Sequence, residues 1–279
     1  MNPFCLYVYL LVVLLAYTFP SIGFASTNKE AIDDLTPMVV TAKGGFSEPL
    51  NSSAWSITSL KVNALQGTAR SLPEALSGMP SIMVQKTALG QSSPYVRGFT
   101  GYHNALLVDG VRLNHSAMRS GPNQYWSTVL VNGVESIEVL RGTNGSIYGA
   151  DAIGGVVNIL SKEPVFKESK NQFNGRFTGR IASAEESWGA SLLAETQTPD
   201  WFAEISHSEQ SFGDLSGGKT VGVQKNTGYN TRGTTARLAR KLSDNAHFIF
   251  GIQKSDMFLK SYKYDISFKS KVFLFLLIK

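Results

Sequence analysis

The segment between residues 114 and 128 holds side chains whose types and spacing could bind a ligand. They are His115, Arg119, Gln124, Tyr125 and Trp126. The arginine could pair with an anionic group, while the amide and the two rings could hydrogen-bond to and stack on a ring-bearing chelate. His115, or His103 upstream, could instead ligate haem iron. The alternative is a structural loop whose aromatic side chains pack against neighbouring elements.

Residue patterns for covalent chemistry do not stand out in the sequence. We find no Ser-His-Asp arrangement, metal-ligand spacing or paired acidic site, so we expect neither an enzyme nor a metal or cofactor of its own, although its ligand could carry iron. The single cysteine is Cys5, and a mature chain that begins after it has no thiol for a disulfide or a metal. The net charge of +5 is spread along the chain without a basic cluster, so we expect no nucleic-acid binding.

The amino terminus predicts export from the cytoplasm. Mostly apolar residues run from Phe4 to Phe19 and are followed by the small-x-small site Gly23-Phe24-Ala25. This order predicts a secretory signal peptide that is cleaved after Ala25. The alternative is an uncleaved anchor, although the run is short for a membrane span. No later apolar run is long enough for a transmembrane helix, so a membrane role would need β-strands.

Residues 55–113 predict one short helix among short strands. Ser71 is expected to cap a helix that ends at Gly78. Asp109-Gly110 is typical of a tight hairpin turn. The expected strands are residues 55–60, 81–85 and 94–99 and the two arms of a hairpin over 105–113.

The stretch from Val134 to Lys162 predicts a strand, a glycine-rich turn, a helical turn and a second strand. The helical turn is expected over Ser146 to Ala152. Glycines at positions 142, 145 and 149 match neither the dinucleotide-binding nor the Walker spacing. The helical turn is also too short for a crossover between parallel strands. A phosphate-binding loop or a βα unit of a soluble α/β domain is therefore disfavoured.

A short strand-forming island lies near the expected mature amino terminus. It consists of Pro37, Met38, Val39, Val40, Thr41 and Ala42. An extended segment with unpaired backbone groups can add as a strand to the sheet edge of a partner. The alternative is an ordinary edge strand.

Beyond Pro164 the sequence alternates between apolar and polar residues with short polar turns. Trp188, Ala190 and Leu192 fall on one face of their strand, and Gly189 and Ser191 on the other. This period of two is typical of membrane β-strands, with an apolar lipid side and a polar lumen side, although a soluble antiparallel domain has the same alternation. The expected strands are residues 173–183, 187–195, 201–208, 229–241 and 247–254.

Four motifs together resemble the plug domain of TonB-dependent outer-membrane receptors. They are residues 134–162, the L-x-E-A-L-x-x-x-P-S-I-x-V run starting at Leu72, the strand that ends Val96-Arg97-Gly98, and the hairpin around Val108-Asp109-Gly110. The resemblance implies an α+β plug domain, a small mixed sheet with short helices, followed by antiparallel strands of an incomplete transmembrane β-barrel. At about ten residues per strand, the residues after the plug allow five or six strands. A barrel that encloses a plug needs many more.

The resemblance also implies a division of the chain. It predicts a signal peptide (1–25), a periplasmic tail with a TonB box (26–45), the plug domain (46–165), the first strands of an outer-membrane barrel (166–264) and an aberrant or truncated tail (265–279). The tail is expected to be aberrant because it ends in an apolar clump without a terminal aromatic residue.

The resemblance implies a transporter in the outer membrane of a Gram-negative bacterium. Its ligand would be a scarce nutrient, with a ferric siderophore favoured and haem or cobalamin as alternatives. Its partners would be the C-terminal domain of TonB, which would bind the TonB box from Pro37 to Ala42, and outer-membrane lipid. Arg97, Glu138 and Arg141 would face the barrel wall and pair with its carboxylates. The alternative is a secreted or periplasmic β-rich binding or signalling module without transport activity.

Overall fold

The computed structural model describes most of the chain beyond its amino-terminal segment. The described residues are 38–43, 46–61, 71–88, 91–113, 125–130, 134–143, 145–166, 171–183, 185–243, 246–259 and 266–275. The signal peptide and the polar tail expected before residue 37 lie outside them. Within the described part of the chain, no helix is long and apolar enough to cross a membrane.

Strands dominate the described structure. In chain order the strands and α-helices are β1 (Met38–Lys43), β2 (Phe46–Pro49), β3 (Ser56–Lys61), α1 (Leu72–Leu76), β4 (Ile82–Ala88), β5 (Gln91–Val96), β6 (Asn104–Val108), β7 (Val111–Arg112), β8 (Val134–Arg141), α2 (Gly145–Tyr148), β9 (Gly155–Ser161), β10 (Gln172–Ala182), β11 (Ser187–Gln197), β12 (Trp201–Phe212), β13 (Leu215–Ser216), β14 (Val223–Gln224), β15 (Tyr229–Ser243), β16 (Ala246–Leu259) and β17 (Ile266–Phe275). Short 3₁₀ turns span Leu50–Ser52, Gly101–His103 and Tyr125–Thr128.

A five-stranded sheet, here called the mixed sheet, organises the first half of the described chain. Its strand order is β3-β8-β9-β6-β7, in which β6 and β9 are parallel and every other neighbouring pair is antiparallel. Successive residues of β8 pack on opposite faces: Val139 lies in one apolar cluster and Leu140 in the other. Because both faces are covered, the parallel central strands β6 and β9 are mostly apolar.

Helix α1 packs on one face of the mixed sheet through Leu72, Ala75 and Leu76, all of which are buried. Ser71 occupies the expected N-cap position, but its side chain makes no capping hydrogen bond. Its hydroxyl lies 3.5 Å from that of Ser92 instead. The buried hydroxyl therefore joins two elements rather than ending one.

The glycine-rich stretch has the expected order of elements with a shorter helix. α2 ends at Tyr148 because Gly149 adopts a left-handed backbone conformation with φ of +83°. β8 and β9 are antiparallel, which agrees with the expectation that so short a helix cannot support a parallel crossover between them.

The hairpin turn between β6 and β7 provides a small, local test of the fold. Asp109 and Gly110 both have positive φ, +48° and +81°, as a type I′ turn requires. Replacing Gly110 with alanine should destabilise the protein by roughly 1 kcal/mol, because an alanine Cβ is strained in this region. Replacing it with asparagine should cost less. Urea midpoints of the two variants check this, and an equal loss in both would contradict the assignment.

The second half of the described chain forms one antiparallel sheet, here called the outer sheet. Its six strands are ordered β10-β11-β12-β15-β16-β17. β17 pairs with β16 from Leu259↔Ile266 to Phe250↔Phe275, so this part of the tail expected to be aberrant continues the sheet. The outer sheet agrees with the expected strands, and each observed strand is as long as or longer than its predicted counterpart.

Burial in the outer sheet is inverted relative to a soluble protein. On β12, Glu204, Ser206 and Ser208 are buried, whereas Trp201 and Ile205 are exposed. The buried polar face is the one turned towards the mixed sheet, since Lys162 beyond β9 contacts Glu195 of β11. Apolar side chains that point away from the protein suit a lipid environment.

Candidate functional site

The extended segment predicted to bind a partner is docked in this structure. β1 pairs antiparallel with β2, with Val39 opposite Glu48. Val39 is fully buried beside Ile57 and Leu140. Pro37 lies outside the described residues. Adding this segment to a partner as a free strand would therefore require it to leave β2 and its apolar site.

The candidate ligand-binding loop is described only at its carboxyl end. His115, Arg119 and Gln124 lie outside the described residues. Tyr125 begins a 3₁₀ turn that ends at Thr128, and Trp126 is fully buried in the apolar cluster that includes Leu76 and Val129. In this conformation Trp126 is a packing residue and is inaccessible to a ligand.

Three buried serines fix the 3₁₀ turn that follows the candidate loop. The Ser92 and Ser127 hydroxyls are 3.1 Å apart, and the Ser92 N–H donates to Ser127 Oγ at 3.4 Å. With Ser71, these bonds join the start of α1, the hairpin formed by β4 and β5, and the turn. A displacement of the loop at its carboxyl end would therefore strain both α1 and the hairpin.

The three charged residues predicted to pair with the barrel wall lie in or beside the mixed sheet. Arg141 donates from Nε to Ser56 Oγ at 3.1 Å and from Nη1 to the Pro80 carbonyl at 3.4 Å. Burial, and then the neighbouring Arg97 guanidinium, lower the pKa of Arg141. Arg97 is exposed with φ of +50°, and Glu138 is buried in β8. Their pairing with wall carboxylates stays a prediction.

A different charged cluster, here called the socket, joins the two sheets. Lys162 Nζ lies 2.8 and 2.9 Å from the two carboxylate oxygens of Glu195. Arg237 Nη1 donates to the Lys162 carbonyl at 2.7 Å and lies 4.0 Å from Glu204. The Asn174 amide also donates to Glu195 at 2.9 Å. The socket thus holds the chain where it leaves β9 against β11, β12 and β15.

Sequence reasoning missed the socket although one signal was present. Glu195, Glu204 and Arg237 fall on the polar face of their strands, and the register sets Glu204 directly opposite both Glu195 and Arg237. Two carboxylates facing each other across strands repel, so their presence indicates a cation from elsewhere. The alternation revealed the face, but the sequence did not reveal that Lys162 supplies the charge.

The described residues offer no evident metal centre. No group of three or more His, Cys, Asp or Glu side chains among them is placed to hold a metal ion. His103 contacts Tyr102 and Phe99 through its ring and lies 3.2 Å from the Thr100 carbonyl. Haem ligation by His103 or His115 stays a prediction.

Comparisons with known proteins agree with this architecture. The family model of the TonB-dependent receptor plug domain matches residues 49–156. The chain is 35% identical over 209 residues to the vitamin B12 transporter BtuB of Photobacterium profundum, covering 70% of this chain and 32% of that protein. It is 33% identical over 155 residues to BtuB of Vibrio vulnificus, covering 54% of this chain and 24% of that protein.

Solved structures with low sequence identity share the fold. The copper transporter OprC matches with a TM-score of 0.63 at 14% identity, covering 77% of this chain and 33% of that one. The ferripyoverdine receptor of Pseudomonas aeruginosa matches with a TM-score of 0.61 at 18% identity, covering 80% of this chain and 28% of that one. The chain spans only about a quarter to a third of the length of the curated relatives it matches.

The mixed sheet joined to an inverted antiparallel sheet agrees with these matches, whose family consists of outer-membrane receptors and transporters rather than enzymes. The chain carries the plug domain of the TonB-dependent receptors, which matches residues 49–156, and β10 onwards form the antiparallel strands of a barrel that these strands alone do not close. The outer membrane of Gram-negative bacteria is therefore its location.

Proposed function

We propose that the protein to which this chain belongs is a transporter that takes up cobalamin or a related corrinoid through the outer membrane and is driven through TonB. The docked β1 strand is the observation that carries the TonB-driven part of this proposal, because β1 pairs with β2 in a sheet separate from the mixed sheet and can be released without unfolding the latter. No cofactor is part of the proposed function.

Cobalamin is favoured over a ferric siderophore or haem by the identity of the relatives. The matches at 33–35% identity are to vitamin B12 transporters, whereas the siderophore receptors share at most 21% identity with this chain and inform only on its fold. The ferric siderophore expected from the sequence becomes the second candidate ligand.

The C-terminal domain of TonB is the proposed partner of β1. An extended segment released from β2 exposes backbone groups that can pair with a sheet edge. The apolar outward face of the outer sheet argues against the soluble binding module, because such a surface would promote association in water.

Growth on limiting nutrients tests the ligand. The receptor carrying this chain is expressed in a Gram-negative strain that lacks its own cobalamin receptor and needs external cobalamin. We expect growth at low cyanocobalamin concentrations and none with the empty vector. Growth only under iron limitation, with a ferric siderophore or haem, would transfer the proposal to that ligand class.

Replacing Val39 with proline tests the partner. Proline cannot donate a backbone hydrogen bond and is confined to strand edges, so cobalamin uptake should fall at least about tenfold while cobalamin binding to the cells is retained. Val39→Ala, which keeps the N–H but loses part of the buried side chain, should still transport. Radiolabelled cobalamin measures binding and uptake separately. Full uptake by the proline variant would refute a pairing role for β1.

A further inference from the structure

The outward face of the outer sheet changes character along its strands. Near the short turns its exposed side chains are mainly apolar, namely Trp201, Ile205, Leu238, Phe248 and Phe250. The exception is Arg240, which lies between Trp201 and Phe248 in the register. Further along the same face, the residues paired across β12, β15 and β16 are polar: Glu209, Arg232 and Asp256 form one row. The lipid-facing surface therefore ends in a charged row.

Two basic residues, Arg232 in this row and Lys254 next to it, have exposed side chains. The side chains of Arg232 and Lys254 are 55% and 57% exposed. Both approach one carboxylate oxygen of Asp256, at 3.3 and 3.9 Å, and this acidic side chain is only 5% exposed. The Arg232 guanidinium also lies 5.2 Å from the centre of the Phe258 ring. One carboxylate thus holds two exposed cations beside each other.

The patch is defined here by Arg232, Lys254 and Asp256. Its two basic side chains are more than half exposed, whereas its carboxylate is only 5% exposed. Glu209, opposite Arg232 in the register of β12 and β15, is the acidic residue beside it. The patch therefore presents two cations to its surroundings while its own carboxylate is covered.

The connections between strands place the patch on the outer side of the membrane. Arg232 lies near the start of β15, next to the connection from Gly213 to Gly228, which carries the small hairpin β13-β14. The opposite ends of β12 and β15 are joined to their neighbours by short turns around Asp200 and after Ser243. Outer-membrane strands have short periplasmic turns and longer extracellular loops.

We propose that Arg232 and Lys254 bind a phosphate group of a lipid in the outer leaflet. Arginine or lysine on the lipid-facing surface costs free energy at the bilayer midplane and little at its boundary. A phosphate at that boundary supplies the opposite charge, and a guanidinium can donate two parallel hydrogen bonds to it. The neighbouring apolar surface, with Phe250 and Leu238, accommodates the acyl chains. This binding site is independent of the transported ligand.

Lipid binding by the detergent-extracted receptor tests the proposal. The probes are bis-phosphorylated lipid A, its dephosphorylated form and inorganic phosphate, and native mass spectrometry measures the bound fraction. Because each basic residue at an anionic membrane surface contributes about fivefold, Arg232→Gln with Lys254→Gln should weaken binding of phosphorylated lipid A by roughly tenfold or more. The dephosphorylated lipid and inorganic phosphate should bind weakly to every variant.

A matched control and a gain of binding make the test decisive. Arg240→Gln with Lys219→Gln removes the same charge, at the other end of β15 and in the long connection, and should leave lipid A binding within about twofold of the parent. Asp256→Asn removes the competing carboxylate and should tighten binding, which misfolding cannot imitate. Equal loss in both double variants, no loss in either, or weaker binding by Asp256→Asn would overturn the proposal. Equal binding of inorganic phosphate would assign the patch to free anions instead of lipid.

Discussion

Replacing Gly154 with alanine is expected to destabilise the plug by about 2–3 kcal/mol, the usual cost of overpacking a well-filled core. A Cβ at this position would overlap Asn104 Oδ1 and lie 2.6 Å from Phe99 Cβ and 2.8 Å from the Val96 carbonyl oxygen. The Asn104 side chain cannot easily retreat, because it is buried and its amide donates to the Phe99 carbonyl at 2.6 Å. The added methyl group must therefore move β9 away from β6.

Gly78→Ala provides the matched control, since nothing lies within 4 Å of a Cβ built there. That variant should be within about 0.5 kcal/mol of the parent, as surface substitutions usually are. Urea unfolding of both variants gives the free energies, and hydrogen exchange in β6 and β9 locates the loss. An equal effect of the two substitutions would show that the contact around Gly154 is not tightly packed.

Replacing Lys162 with methionine is expected to loosen the attachment of the plug to the outer sheet by about 1–2 kcal/mol. Breaking a buried ion pair costs about 3–5 kcal/mol, but the Lys162 side chain is 41% exposed, so solvent screening reduces that figure. The remaining carboxylate of Glu195 would still accept from Asn174 and Gln197, yet it would face Glu204 without its cation. The Ser161 amide, which donates to Asp109 at 2.7 Å, reports local opening by hydrogen exchange.

A double-mutant cycle separates this pair from its surroundings. Glu195→Gln keeps the shape but removes the charge, so the variant with both substitutions should lose less than the sum of the two single losses by about 1 kcal/mol. Lys86→Met serves as the control, because its partner Glu74, at 2.8 Å, is 22% exposed against 5% for Glu195, and that ion pair lies within the plug. Strict additivity at positions 162 and 195 would mean that the contact contributes nothing.

Local patterns predicted most of the elements because each needs only neighbouring residues. The Asp109-Gly110 turn, the short helix that ends before Gly78 and the strand at Val134 are determined by backbone preferences and periodicity. Four of the five predicted outer strands are shorter than the observed ones, and in β16 the missed end contains the charged Asp256, a residue type that strand patterns do not favour.

The missed features depend on residues that are distant in sequence. Trp126 stands among polar residues that suggested an exposed loop, but tertiary packing places it beside Leu76. Ser71 has the right type and position for a cap, yet its hydroxyl makes no capping bond and lies 3.5 Å from that of Ser92. The socket brings Lys162 to Glu195 only after both sheets have formed. The TonB box, the ligand loop and the plug–wall arginines stay predictions.

The antiparallel pairing of β1 and β2 has a mechanical consequence. Met38 is opposite Pro49 and Lys43 is opposite Phe46, so the leading end of β1 and the trailing end of β2 lie side by side. Tension applied at the leading end of β1 would load the backbone hydrogen bonds between β1 and β2 one after another, as in unzipping, rather than all together, as in shearing. Breaking hydrogen bonds one at a time needs a smaller force. An energised partner could therefore extract β1 while the strands of the mixed sheet keep their hydrogen bonds under the same tension.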